Sequence, residues 1–170
     1  LKEIKKADLS YNNGNYGEAL KSYLPLLETL DETTIIRNNL NYKVGFCYYA
    51  SAPEDSFAVS YFRKYLEGSD VHFEAYYFLG NIAATNHDFD TSIFHFNKFK
   101  EYVAGNTELS NSGLSEQIIE IADKQIEKCE LGKFLIKNPG CGTIESVTGG
   151  VNTVYSEYAP VINPDETKFA

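Results

Sequence analysis

The sequence contains no Met and no Trp, and only three Cys and three His in 170 residues. With no Met even at position 1, Leu1 reads as the start of a mature or excised chain, any export signal having been removed. Cys47, Cys129 and Cys141 form no CxxC pair and no metal-ligand spacing. Cys47 lies in an apolar helical run and reads as a small core residue. A Cys129–Cys141 bridge requires Cys141 to fold back onto its helix. His72, His87 and His95 stand neither beside a Cys nor at HxxH spacing, so they read as surface or capping histidines. Basic residues are outnumbered 15 to 24 by acidic ones; the net charge of −9 argues against nucleic acid and against an anionic membrane surface as partner. No apolar run approaches the length of a membrane span, so no direct membrane insertion is expected. GxSxG, Gly-rich phosphate-loop and HExxH motifs are all missing. The carboxylates are scattered as on solvated helix faces. No catalytic residue, metal or cofactor is expected.

What is abundant is aromatic: 13 Tyr and 11 Phe. Many Tyr on helices suit either packed helix pairs or a binding face. Length and composition bound the chain to one domain, or one domain with an appendage.

The helical period is clearest over Glu74–Phe96. Tyr76, Leu79, Gly80 and Ala83 recur at three and four residues, the break Thr85–Asp88 follows, and Phe89, Ser92, Ile93 and Phe96 resume the spacing. Gly80, Ala83 and Ser92 are small where two helices must come close. Tyr76, Leu79 and Phe96 are expected in the core. Such a pair cannot bury both apolar faces alone and needs neighbours of its own kind.

The rest of the chain supplies them. Ala7 and Tyr11, the break Asn12-Asn13-Gly14-Asn15, then Tyr16, Ala19, Leu20 and Tyr23 form a first unit. Gly14 supplies the positive φ of a tight helix–helix turn, and Pro25 is expected to kink the second helix. Tyr42, Val44, Gly45 and Tyr48, the break Ser51-Ala52-Pro53, then Ala58, Tyr61, Phe62 and Tyr65 form a second, with Pro53 expected near the first turn of a helix. Ala19, Ala58 and Ser92 align at steps of 39 and 34 residues. A Gly-, Asn-, Thr- and Ser-rich loop is expected from residue 104. A long helix then runs from about Leu114 to Lys137, with Ile119, Ala122, Ile126 and Cys129 as its apolar stripe, closing the open end of the stack. Gly132 is expected to bend or end it.

These motifs resemble a tetratricopeptide repeat (TPR) array. Gly14-Asn15-Tyr16-Gly17-Glu18-Ala19 is similar to the family's inter-helix motif, and Tyr76-x-x-Leu79-Gly80-x-x-Ala83 with Phe89, Ser92, Ile93 and Phe96 fits a third unit. Lys6 and Ser10 depart from the pattern, standing where large apolar residues are usual. The fold implied is an all-α superhelix of three helix pairs and a closing helix over 1–137. In that family the first helix of each pair lines a concave groove. By register the groove here would comprise Ile4, Asp8, Tyr11, Asn12, Asn39, Tyr42, Phe46, Tyr49, Glu74, Tyr77 and Asn81. Such a groove would hold an extended peptide by stacking and by side-chain amides. The alternative is that the same rings pack among the helices. Ile4 and Asp8 stand where chaperone-type arrays place a carboxylate clamp, which argues against that role.

Residues 138–170 change character. Asn138-Pro139-Gly140 stops the helix, and Gly-, Thr- and Val-rich sequence reads as strand and turn, an extended, β-leaning tail. Val151, Val154, Tyr155, Tyr158 and Val161 are expected to pin it to the array or to a second copy of the chain. Ile126-Glu127-Lys128-Cys129, Lys137-Asn138-Pro139, Gly150-Val151-Asn152-x-x-Tyr155-Ser156-x-Tyr158-Ala159-Pro160 and Asn163-Pro164-Asp165-Glu166 resemble Bacteroidetes outer-membrane proteins in which a TPR array leads into a β-propeller and an OmpA-like domain. The resemblance implies a truncated β domain from 138 and a periplasmic, outer-membrane-associated scaffold serving envelope assembly, secretion or gliding. Two other readings stand beside it: the positioning module of an enzyme whose catalytic domain follows residue 170, and a spacer whose groove binds nothing.

Overall fold

The computed structural model describes residues 2–31, 34–68 and 72–139. The tail is outside the described residues from residue 140, and with it lie the expected strand character, the pinning contacts and Cys141. Among the described residues there are eight helices and no strand: α1 (Lys2–Asn12), α2 (Tyr16–Thr29), α3 (Ile35–Ser51), α4 (Ser56–Leu66), α5 (Glu74–Thr85), α6 (Phe89–Gly105), α7 (Thr107–Ser112) and α8 (Ser115–Lys137). One compact unit ends at Asn138. No described helix is long and apolar enough to cross a membrane.

Local chemistry sets the helix ends. Short polar side chains accept the first free amides: Thr34 from Arg37 at 3.2 Å, Asp55 from Phe57 at 2.7 Å, Asp88 from Thr91 at 3.2 Å, and Asn106 from Glu108 and Leu109. Each such cap contributes about 1 kcal/mol. Three helices stop at a left-handed residue: Gly14, His87 and Gly113. In each case the next residue donates five positions back, as from Asn15 to Ser10 (2.9 Å) and from Asp88 to Ala83 (2.9 Å). This satisfies carbonyls that the helix leaves open. His87, with φ of 61°, occupies a conformation that glycine adopts more cheaply.

Packing follows chain order. The principal contacts are α1 on α2, α2 on α3, α3 on α4, α5 on α6, and α6 on α8; α4 meets α5 more sparsely, and α5 also touches α3. A small residue on the first helix of a pair recurs opposite a large aromatic on the second. A β-carbon on Gly45 would lie 3.0 Å from the Phe62 ring, and one on Gly80 would lie 2.8 Å from Phe96. Ala7 and Tyr23, both fully buried in one cluster, hold the same places in the first pair. Ser92 exploits the close approach, donating its hydroxyl to the Gly80 carbonyl at 2.8 Å. Burying an aromatic such as Phe96 stabilises by about 1.5–3 kcal/mol.

Leu79 and Phe96 are in the core as expected, whereas Tyr76 is half-buried and stacks on Tyr102. Helix α2 runs to Thr29 with Pro25 inside it. Pro53 lies in the break between α3 and α4, two residues before the cap Asp55. Two local expectations change. The polar stretch after residue 104 contains α7, because Asn106 caps two amides and Gly113 closes the turn. Helix α8 continues past Gly132 to Lys137. Gly132 serves close approach: a β-carbon there would come within 2.5 Å of Phe89, and Lys133 next to it pairs with Asp90 at 2.7 Å. Lys100 pairs with Asp123 further along the same junction. Around this clamp Leu131, Phe134, Leu135 and Ile136 are each more than half exposed.

Candidate functional site

Tyr11, Phe46 and Tyr49, expected to line a groove, join Phe78 in a continuous ring seam across α1, α3 and α5. Tyr11 meets Phe46 at 5.7 Å between centroids, and Phe46 meets Phe78 at 5.3 Å. Tyr16 abuts both Tyr11 and Phe46. Tyr49 lies 4.9 Å from Phe78, and its hydroxyl accepts a hydrogen bond from the Asn81 side chain at 3.3 Å. The three helices therefore share one face, and Tyr11, Phe46, Tyr49 and Asn81 come together on it, each half-buried.

The other expected residues divide. Tyr42 turns inward, touching the rings of Phe62, Tyr65, His72 and Phe78. Tyr77 packs on Phe96 and Phe99 of α6. Glu74, on the first turn of α5, keeps its side chain 46% exposed, with His72 Nδ1 4.0 Å away. Asn12 and Asn39 are exposed, and Ile4 is half-buried against the first core cluster.

Asp8 accepts from the Tyr23 hydroxyl at 2.5 Å and pairs with Lys43 Nζ at 2.6 Å, linking α1, α2 and α3. Partial burial pushes its carboxyl up, but the hydrogen bonds from Lys43 and Tyr23 and the Lys43 charge together hold it below the ordinary value. Burial raises Tyr11 to about 12, with added repulsion from Cys47, Tyr16, Asp8 and Glu74. Tyr42 rises for the same first reason, with Glu74 next. These phenols stay protonated at neutral pH and act as hydrogen-bonding groups, not nucleophiles. Cys47 is likewise pushed to about 12 by burial. Cys129 is a buried free thiol 3.2 Å from Ser92 Oγ; the partner considered for it, Cys141, is outside the described residues.

Two residues of this face escape the sequence reading. Phe78 stands four residues after Glu74, and the helical repeat accepts i+3 and i+4 equally, so Tyr77 and Phe78 compete for one register position. Lys43 lies between Tyr42 and Val44, and only the three-dimensional meeting of α1 with α3 brings it to Asp8. His95, expected at the surface, is half-buried, and its Nδ1 has no hydrogen-bond partner among the described residues. Among the described residues no group of three or more potential metal ligands converges.

No protein-family model matches this chain, and no curated protein matches it significantly.

Proposed function

We propose that residues 1–137 form a TPR-like array of three helix pairs closed by α8, and that it acts as a non-enzymatic protein-interaction scaffold. Its face of first helices binds an extended peptide segment of a protein partner. The resemblance of the linker to the Bacteroidetes group supports a periplasmic, outer-membrane-associated role in envelope assembly, secretion or gliding. The observation that carries the binding reading is the seam Tyr11–Phe46–Phe78–Tyr49, continuous across three helices, with the Asn81 side-chain amide bonded to Tyr49 at its edge. Rings supply contact area at low entropic cost, and amides pair with a peptide backbone.

The test places charge or a cross-linker where the fold is indifferent. Asn12→Glu with Asn39→Glu alters two exposed positions; a photo-crosslinker at Asn39 or Asn81 reports what touches the face. Capture of one defined protein by the wild type, lost in the double variant with an unchanged melting temperature, supports the reading. Equal capture by both rejects the face as a binding surface and leaves the spacer reading. Tyr42→Ala and Tyr77→Ala are poorer probes because both rings pack in the interior.

A further inference from the structure

The Asp8–Lys43 ion pair lies one helical turn from the ring seam. Asp8 precedes Tyr11 on α1 by three residues, and Lys43 precedes Phe46 on α3 by three, so each couple shares a helix face. The two helices therefore meet twice on one face: ring to ring at 5.7 Å, and carboxylate to ammonium at 2.6 Å. Tyr23 of α2 is fully buried beneath them, with Lys43 Nζ 5.9 Å above its ring. The side chains of Asp8 and Lys43 are each 30% exposed, so they open away from α2, on the side that α1 and α3 present together.

The pair is saturated on one side only. The Tyr23 hydroxyl and Lys43 Nζ both bond to Asp8 Oδ1. Asp8 Oδ2 takes no hydrogen bond from a described residue, yet it is not an enclosed orphan. An ammonium has three donors, and Asp8 takes one of those on Lys43. An acceptor and donors are thus left side by side, with no net charge between them.

We propose that Asp8 Oδ2 and Lys43 Nζ clasp a primary carboxamide, the side chain of an Asn or Gln in the bound segment, while the Tyr11 and Phe46 rings one turn away take an apolar side chain of the same segment. This deepens the peptide-binding reading and rests on it. The amide N–H donates to the carboxylate, and the carbonyl accepts from the ammonium. A primary carboxamide carries a donor and an acceptor on one edge. A trans backbone peptide points its N–H and C=O to opposite sides and does not meet both. A ligand carboxylate is repelled by Asp8, and a ligand ammonium or guanidinium by Lys43, so a neutral dipole suits the pair better than an ion.

The experiment selects a displayed library of random linear peptides on the full chain. A photo-crosslinker at Asn39, one turn before Lys43 on α3, checks that the enriched peptides lie beside the pair. These peptides should share an Asn or Gln at a fixed spacing from an aromatic or aliphatic residue. Exchanging that carboxamide for a carboxylate (Gln→Glu or Asn→Asp in the peptide) should weaken binding about tenfold or more. On Asp8→Asn protein the same exchange should cost little or improve binding, because Lys43 then meets the carboxylate unopposed. The preference is a ratio taken on one protein, so any loss of folded material cancels. Enriched peptides that share no carboxamide, or a preference that Asp8→Asn leaves unchanged, would overturn the inference and leave the peptide reading standing. No enrichment above an unrelated protein, or enrichment without cross-linking at Asn39, removes the peptide reading and the inference with it.

Discussion

Gly80 of α5 faces the ring of Phe96 on α6 so closely that a β-carbon would sit 2.8 Å from Phe96 Cε1. Phe96 is fully buried and has nowhere to withdraw. Gly80→Ala gains about 1 kcal/mol of helix propensity but incurs an overpacking cost of about 1–3 kcal/mol. We expect net destabilisation, read as a lower denaturant midpoint. Gly17→Ala on α2, where a β-carbon meets nothing within 4 Å, should be neutral or stabilising. A Gly80→Ala variant as stable as Gly17→Ala would contradict the tight junction.

Asp8 ties three helices through Tyr23 and Lys43. Its folded-state carboxyl lies below the ordinary value, so the stability it contributes is present above the unfolded pKa, about 3.9, and is lost as pH falls through the folded one. Asp8→Asn should lower the melting temperature at pH 7 and narrow the gap from wild type toward pH 3. A gap that stays constant with pH would show that the carboxylate charge is not what matters.

His95 should make the protein weaken in mild acid. Burial lowers its pKa first and the Arg63 charge adds to this, against an opposing pull from Asp88. The unfolded chain then binds a proton more readily than the folded one. Stability is full above the unfolded value, about 6.5, and declines as pH falls toward the folded one. His95→Leu should remove part of the decline in melting temperature between pH 7.5 and 5.5. An identical decline in both proteins would assign it elsewhere.

Cys47 should resist alkylation in the folded protein, because its thiol is pushed to about 12 by burial and is fully enclosed. Iodoacetamide at pH 8 should leave its peptide unmodified by mass spectrometry until denaturant unfolds the chain. Rapid labelling under native conditions would mean that α3 opens locally.

Much of the helical layout was legible because the evidence for it is local. The period through Glu74–Phe96 and the breaks at Gly14 and Thr85–Asp88 are properties of short stretches, and α1, α2, α5 and α6 begin and end around them. Helix α7 was missed because capping by Asn106 and closure by Gly113 use residues that composition assigns to loops. The close approach that Gly132 permits was not legible because its partner, the Phe89 ring, lies 43 positions away in the chain. The site was harder still. Tyr11, Phe46 and Tyr49 carry enough apolar pattern to be placed on a face. Whether Tyr42 and Tyr77 look outward depends on the rotation of each helix, which the i+3 and i+4 ambiguity leaves undetermined.

The last turns of α8 impose a practical limit on where the chain can be cut. Gly132 and Lys133 anchor the helix to α6, yet Leu131, Phe134, Leu135 and Ile136 around them stand largely bare. A boundary after Lys133 removes Phe134, Leu135 and Ile136 and keeps the anchor, but it leaves Leu131 and puts Gly132 and Lys133 in a terminal turn, where helices fray. Polar substitution at Phe134 and Ile136 with the backbone left whole keeps the anchor inside the helix.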